Sequence, residues 1–127
     1  MSKRPPGAIE IDVETNYLPE QSDPDAPRYV FAYTVTIRNT GQTPATLLTR
    51  RWVITDSNGK VREVAGDGVV GEQPCIGPGE SHRYSSGTII ETPVGVMQGS
   101  YGMVTADGVA FPASIPAFRL AIPGILN

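Results

Sequence analysis

Gly66, Gly68 and Gly71 stand in the spacing G-x-G-x-x-G, the one arrangement in this chain that is built like a cofactor site. In a dinucleotide fold such glycines follow a strand and open a helix, whose N-terminus carries the pyrophosphate. Here the next eight residues, Glu72 to Gly79, hold two prolines and two more glycines, and cannot form that helix. Glu91 lies 20 residues after Gly71, where a ribose-binding acid would stand, but no βαβ pattern surrounds it. Asp67 and Glu72 would also repel a bound anion. The expected role of Gly66, Gly68 and Gly71 is therefore to shape a turn between two strands. A nest of backbone N–H groups holding a small anion is the alternative. If Val69 and Val70 are exposed in this loop, they favour a protein partner instead, because a rimmed apolar patch marks contact sites.

Other candidate chemistry is sparse. Arg50 and Trp52 are two apart, so on a strand they share a face and Arg51 takes the other. Trp52 reads as core, with Arg50 beside it able to stack on a ring. Arg51 reads as a contact for an acidic partner. His82 and Cys75 are the only histidine and cysteine, too few for a His/Cys metal site. Asp23 and Asp25 lie among prolines without calcium-loop spacing. Ser81, Ser85 and Ser86 are near His82 in sequence, yet no nucleophile elbow is present. Met97, Tyr101, Met103 and Phe111 read as packing. No catalytic residue, metal or cofactor is expected.

The elements that must position these residues are strands. Ile9, Ile11 and Val13 alternate with Glu10, Asp12 and Glu14, the period of a half-buried strand. Arg28–Asn39 is the clearest case, with Phe31, Tyr33, Val35 and Ile37 on one face. Further strands are expected over Ala45–Thr55, Lys60–Ala65, His82–Ile90, Gly99–Thr105 and Ala110–Ile122. Asn39–Gly41, Asp56–Gly59, Pro78–Gly79 and Asp107–Gly108 read as turns, with Asn58–Gly59 the hairpin pair. Leu18–Pro27 has three acidic residues and three prolines, and so reads as a loop. No window has helical periodicity. Fourteen glycines and 12 prolines spread along 127 residues fit many turns between short strands. The spacing predicts an antiparallel β-sandwich of about seven or eight strands in one domain, with residues 1–7 a frayed start.

Charge and composition exclude several functions. Ten Lys and Arg face 13 Asp and Glu, for a net charge of −3, against the basic surplus of most nucleic-acid binders. No apolar run approaches a membrane span. The N-terminal residues lack an apolar targeting segment, and a cytoplasmic location is expected. The partner expected is an unidentified protein, with no nucleic acid and no membrane, and the chain a monomer or weak dimer.

An ordered set of segments carries a family resemblance. It runs through Arg50-Arg51-Trp52-Val53-Ile54-Thr55-Asp56, Gly66-Asp67-Gly68-Val69-Val70-Gly71-Glu72-Gln73-Pro74 and Pro78-Gly79-Glu80. It continues through Tyr84-Ser85-Ser86-Gly87, Thr92 to Tyr101 and Ile115-Pro116-Ala117-Phe118. In order and spacing, from about Tyr17 to Leu120, the chain resembles the bacterial ApaG family. The resemblance implies an immunoglobulin-like or fibronectin type III-like sandwich acting as a non-catalytic interaction module. It also implies a link to cobalt resistance and magnesium efflux. It assigns no reaction.

Overall fold

The computed structural model describes residues 8–125, so the stretch 1–7 expected to fray lies outside the described residues. The strands are β1 (Ile9–Tyr17), β2 (Tyr29–Asn39), β3 (Ala45–Asp56), β4 (Val61–Asp67), β5 (Cys75–Ile76), β6 (Ser81–Ile90), β7 (Val94–Thr105) and β8 (Ala110–Ala121). All pairings between strands are antiparallel. One sheet has the order β1-β2-β6; the other runs β4-β3-β7-β8, with β5 sharing the free edge of β3. This is the expected sandwich, with eight strands among the described residues. Among the described residues the only helical segment is the 3-10 turn Pro19–Gln21, inside the expected loop.

The alternation read from the sequence places the core. Phe31, Tyr33, Val35 and Ile37 of β2 are all buried and face Leu47, Trp52 and Ile54 of β3 and Met97, Tyr101 and Met103 of β7. Trp52 is the centre of an aromatic cluster. Its ring lies edge-on to Tyr33 (5.4 Å), Phe118 (5.9 Å) and Tyr101 (6.2 Å), the orientation that aromatic quadrupoles favour.

Two irregularities reset the inward face. In β3 the register shifts between Leu47 and Thr49, so Ala45 and Leu47 point inward, then Arg50, Trp52 and Ile54. Against β7, β8 carries an extra residue near Pro116–Ala117, so Ala113 and Ile115 are followed inward by Phe118 and Leu120. Proline is tolerated there because β8 is an edge strand and a bulge needs no donor.

The structure extends one expected strand and adds another. β7 begins at Val94, five residues before the expected Gly99, because Gly95 and Gly99 sit where no side chain fits. A Cβ at either would lie 2.9 Å from the Thr55 carbonyl or 2.0 Å from that of Arg51. The two-residue β5 was not expected; it is held by buried Asn39, whose Nδ2 donates to the carbonyls of Ile76 (2.8 Å) and Thr43 (2.9 Å). In the Asp56–Gly59 turn only Gly59 has positive φ (87°). The expected Asp56–Gly59 hairpin turn is closed by the Gly59 N–H donating to the Asp56 carbonyl and the Asp56 N–H to the Lys60 carbonyl.

Along one side the sandwich is closed by β1 packing on β8. On the other side the free edges of β4 and β6 flank an open cleft of about 660 Å³.

Candidate functional site

The glycine motif folds as a structural cap on β3. Gly66 lies within β4, so the expectation that it shapes the turn is corrected. Its φ is not positive; what it supplies is room. A Cβ at Gly66 would lie 2.9 Å from Arg50 Nη2, so the missing side chain lets the guanidinium cross β4. Arg50 Nη1 then donates to the carbonyls of Asp67 (2.8 Å) and Gly68 (3.0 Å). These bonds, rather than stacking on a ring, hold Arg50.

Gly68 and Gly71 do have positive φ, 63° and 78°. The Gly68 N–H donates to the Leu48 carbonyl at the β3 irregularity (2.8 Å), and Gln73 Nε2 donates to the same oxygen (3.0 Å). Val69 and Glu72 exchange N–H···O bonds of 2.8 and 3.0 Å, closing a two-residue hairpin around Val70 and Gly71. The N–H groups of Gly68, Val69 and Glu72 are therefore already engaged within the protein. The condition set for a contact through both valines is not met by Val69, which is 1% exposed and part of the core. Val70 is 62% exposed.

Val70 has φ 48°, a conformation costly for a β-branched residue. Both central residues of the hairpin have positive φ, as the type I′ turn requires, and Asn-Gly fits that turn best. Val70→Asn is expected to raise stability by about 1 kcal/mol, since strain is relieved and no buried surface is lost. Urea denaturation checks this; an unchanged or lower midpoint counts against it.

Arg51 lies on the open outer face, as its spacing implied. It is paired there with Glu63 at 2.6 Å, both side chains more than half exposed. Such a pair contributes little to stability. His82 stacks near Tyr84 (6.4 Å between centroids), and its Nε2 is buried without a hydrogen-bond partner among the described residues. Cys75 is exposed. Among the described residues no three His, Cys, Asp or Glu side chains gather.

The cleft between β4 and β6 brings together groups that the sequence reading did not connect. Its walls hold Arg28, Arg50 and Arg62, the rings of Tyr33 and Trp52, and Ser86 and Thr88; among the described residues no carboxylate lines it. The ion pairs of the described residues use Arg38, Arg51, Lys60 and Arg83. Among the described residues, Arg28, Arg50 and Arg62 have no carboxylate within the 4.0 Å of an ion pair. Each guanidinium is held by neutral oxygens. Arg28 Nε donates to the Gln21 carbonyl (3.2 Å), and Arg62 Nη2 reaches across the cleft to Thr88 Oγ1 and the Ile89 carbonyl (3.0 Å each).

The strand period explains the sorting. Arg62, Val64 and Gly66 of β4 face inward opposite Ile54, Trp52 and Arg50, while Glu63 and Asp67 face outward. The buried Trp52 Nε1–H finds no acceptor among the described residues. Burial pushes the Tyr33 hydroxyl pKa up, with Ser86 and the Arg50 guanidinium pulling the other way. The cleft thus offers donors and positive charge to an anionic, hydrogen-bond-accepting group. A second hollow of about 350 Å³, beside Leu48, Phe111 and Pro112, is shallow and lacks charged groups.

Residues 19–105 match the ApaG domain family, DUF525. The chain belongs to the ApaG family. A protein ApaG of Azotobacter vinelandii is 61% identical over 119 residues, 94% of each chain. A protein ApaG of Aromatoleum aromaticum is 55% identical over 127 residues, the full length of both. The crystal structure of the putative ApaA protein from Bordetella pertussis superposes with a TM-score of 0.90 at 48% identity, covering 92% of this chain and 95% of that one. Family and fold thus agree with the ordered segments read from the sequence. Among the described residues no helix is long and apolar enough to cross a membrane.

Proposed function

We propose that this ApaG-family chain is a non-catalytic protein-binding module whose contact surface is the open seam between β4 and β6. One observation carries the reading. The sandwich is sealed along β1 and β8 but left open along the opposite side, where unpaired cations and apolar side chains share one cleft. Exposed apolar surface beside polar anchors is what a partner covers. Val70, strained and exposed at its hairpin tip, supplies a neighbouring contact. The module works in the cytoplasm as a monomer or weak dimer. Tagged protein captured from its native cell extract is expected to retain a stoichiometric protein partner through the seam. Retention of none, with turnover of a small molecule instead, overturns the reading.

A second reading, a small-anion sensor, is favoured by the presence of Arg28, Arg50 and Arg62 in the lining of one cleft. It places the anion in the cleft rather than on the glycine hairpin.

The family's link to cobalt resistance and magnesium efflux is read as acting through the partner. The absence of a cluster of three ligands among the described residues supports this. Calorimetry with Co²⁺ and Mg²⁺ is expected to find no saturable site tighter than roughly micromolar, about 8 kcal/mol. A stoichiometric tighter site counts against it.

A further inference from the structure

We infer that the free edge of β6, from Ser85 to Ile89, is a docking strand for an extended acidic segment of the partner protein, which joins β1-β2-β6 as a fourth strand. This rests on the reading of the chain as a protein-binding module.

The backbone geometry comes first. Val30 lies opposite Ile89 in the β2–β6 ladder. The Val30 N–H donates to Ser22 Oγ (2.9 Å), and its carbonyl accepts from the Leu18 N–H (2.9 Å). Neither group faces β6, so Val30 and Ile89 form a non-hydrogen-bonded pair. The backbone groups of Ile89 therefore point away from β2, and its carbonyl takes the Arg62 guanidinium instead. An antiparallel ladder repeats every two residues, so Gly87, opposite Ala32, and Ser85, opposite Thr34, also direct N–H and C=O outward. No strand of the described residues pairs with β6 on that side. Backbone groups two residues apart along a free edge are what an added strand binds.

The cleft walls then choose the side chains. Its lining lies on both faces of this edge, with Arg50, Arg62 and Trp52 on the inner side and Arg28 and Leu18 on the outer. A strand laid beside β6 alternates its side chains between those two sides. Both sides present guanidiniums that have no carboxylate partner among the described residues. Carboxylates on the incoming strand match this charge, and apolar residues among them cover Val64 and Ile89, each 38% exposed. A small anion would meet the guanidiniums but leave the Gly87 edge unpaired.

The test uses a synthetic peptide of alternating Glu and Val, titrated into the full chain and followed by amide NMR and hydrogen exchange. The acidic peptide is expected to shift the amides of Ser85 to Ile89 and the Trp52 indole N–H, and to slow exchange at Gly87. The same peptide with Lys for Glu, or with alternate backbone amides methylated, is expected to leave them unmoved. Arg28→Glu, a change at an exposed side chain, is expected to weaken binding by about tenfold or more. Equal binding of the methylated peptide, saturation of the same shifts by pyrophosphate alone, or no shift with the acidic peptide overturns the inference. A partner captured from cells that crosslinks at the seam while the acidic peptide fails would leave the module reading standing and reject only the edge and its charge preference.

Discussion

Gly68→Ala is expected to lower stability by about 3 kcal/mol, the larger of the effects available in the glycine motif. Two terms add. The residue has φ 63°, and a Cβ would lie 2.3 Å from the Glu72 carbonyl oxygen, a backbone atom that cannot swing aside. Any shift of Gly68 loosens its N–H bond to Leu48 and the carbonyl that anchors Arg50. Gly71 provides the control. Its φ is 78°, but nothing lies within 4 Å of an added Cβ, so Gly71→Ala should cost only the conformational term, about 1 kcal/mol. Denaturant titration of the two variants separates these outcomes; equal losses would contradict the account of the cap. In the unchanged protein, millimolar NAD or ATP is expected to leave the amide shifts of residues 66–74 in place. A saturable shift confined to this hairpin, lost in Gly68→Ala, would restore the nucleotide reading.

Stability is expected to fall steeply above about pH 10, where unfolded tyrosine ionises. Tyr84 and Tyr101 share a hydrogen bond between their hydroxyls inside the sandwich. Burial pushes Tyr84 up to about 12, and burial with the neighbouring Tyr84 pushes Tyr101 up further still. Both pKa values are raised on folding, so their contribution is complete below the unfolded value. It is lost as pH rises from about 10 toward the folded values, where the unfolded chain releases protons that the folded one keeps. Fully buried Tyr101 should add about 1.4 kcal/mol of loss per pH unit, and half-buried Tyr84 somewhat less. Urea midpoints between about pH 8 and 11 measure the slope. Tyr101→Phe should lower stability at neutral pH but flatten the alkaline limb by one proton. A midpoint that does not move above pH 10, or an identical slope in the Phe variant, would contradict the buried pair.

The sandwich was legible because period-2 alternation is strong where one face is buried. Phe31, Tyr33, Val35 and Ile37 all lie inward as that pattern requires. It failed where the pattern resets. The strand expected for β7 starts at Gly99 and misses residues 94–98, a stretch whose Gly95 is glycine to let the β3 backbone pass. The sequence leaves the exposure of Val69 open because it lies in a glycine-rich turn, and the Val69–Glu72 bridge turns it into the core. The cleft was invisible because its groups come from separate strands. One local signal existed: Arg50 shares a strand face with Trp52 and Ile54, and Arg62 shares one with Val64. Arginine on an apolar face needs a partner, and among the described residues neutral oxygens rather than carboxylates supply it.

The central claim is that the β4–β6 seam is where a protein partner binds, and site-directed photo-crosslinking tests it most directly. A crosslinking side chain is placed at Ile89 on the seam, at Asp12 on the opposite edge, and at Leu48 beside the shallow hollow, and each protein is irradiated in its native cells. Ile89 is expected to yield a single dominant adduct with another protein, diminished by Arg28→Glu, while Asp12 and Leu48 yield little. A dominant adduct from Asp12 or Leu48 with none from Ile89, or no protein adduct at any of the three, would contradict it.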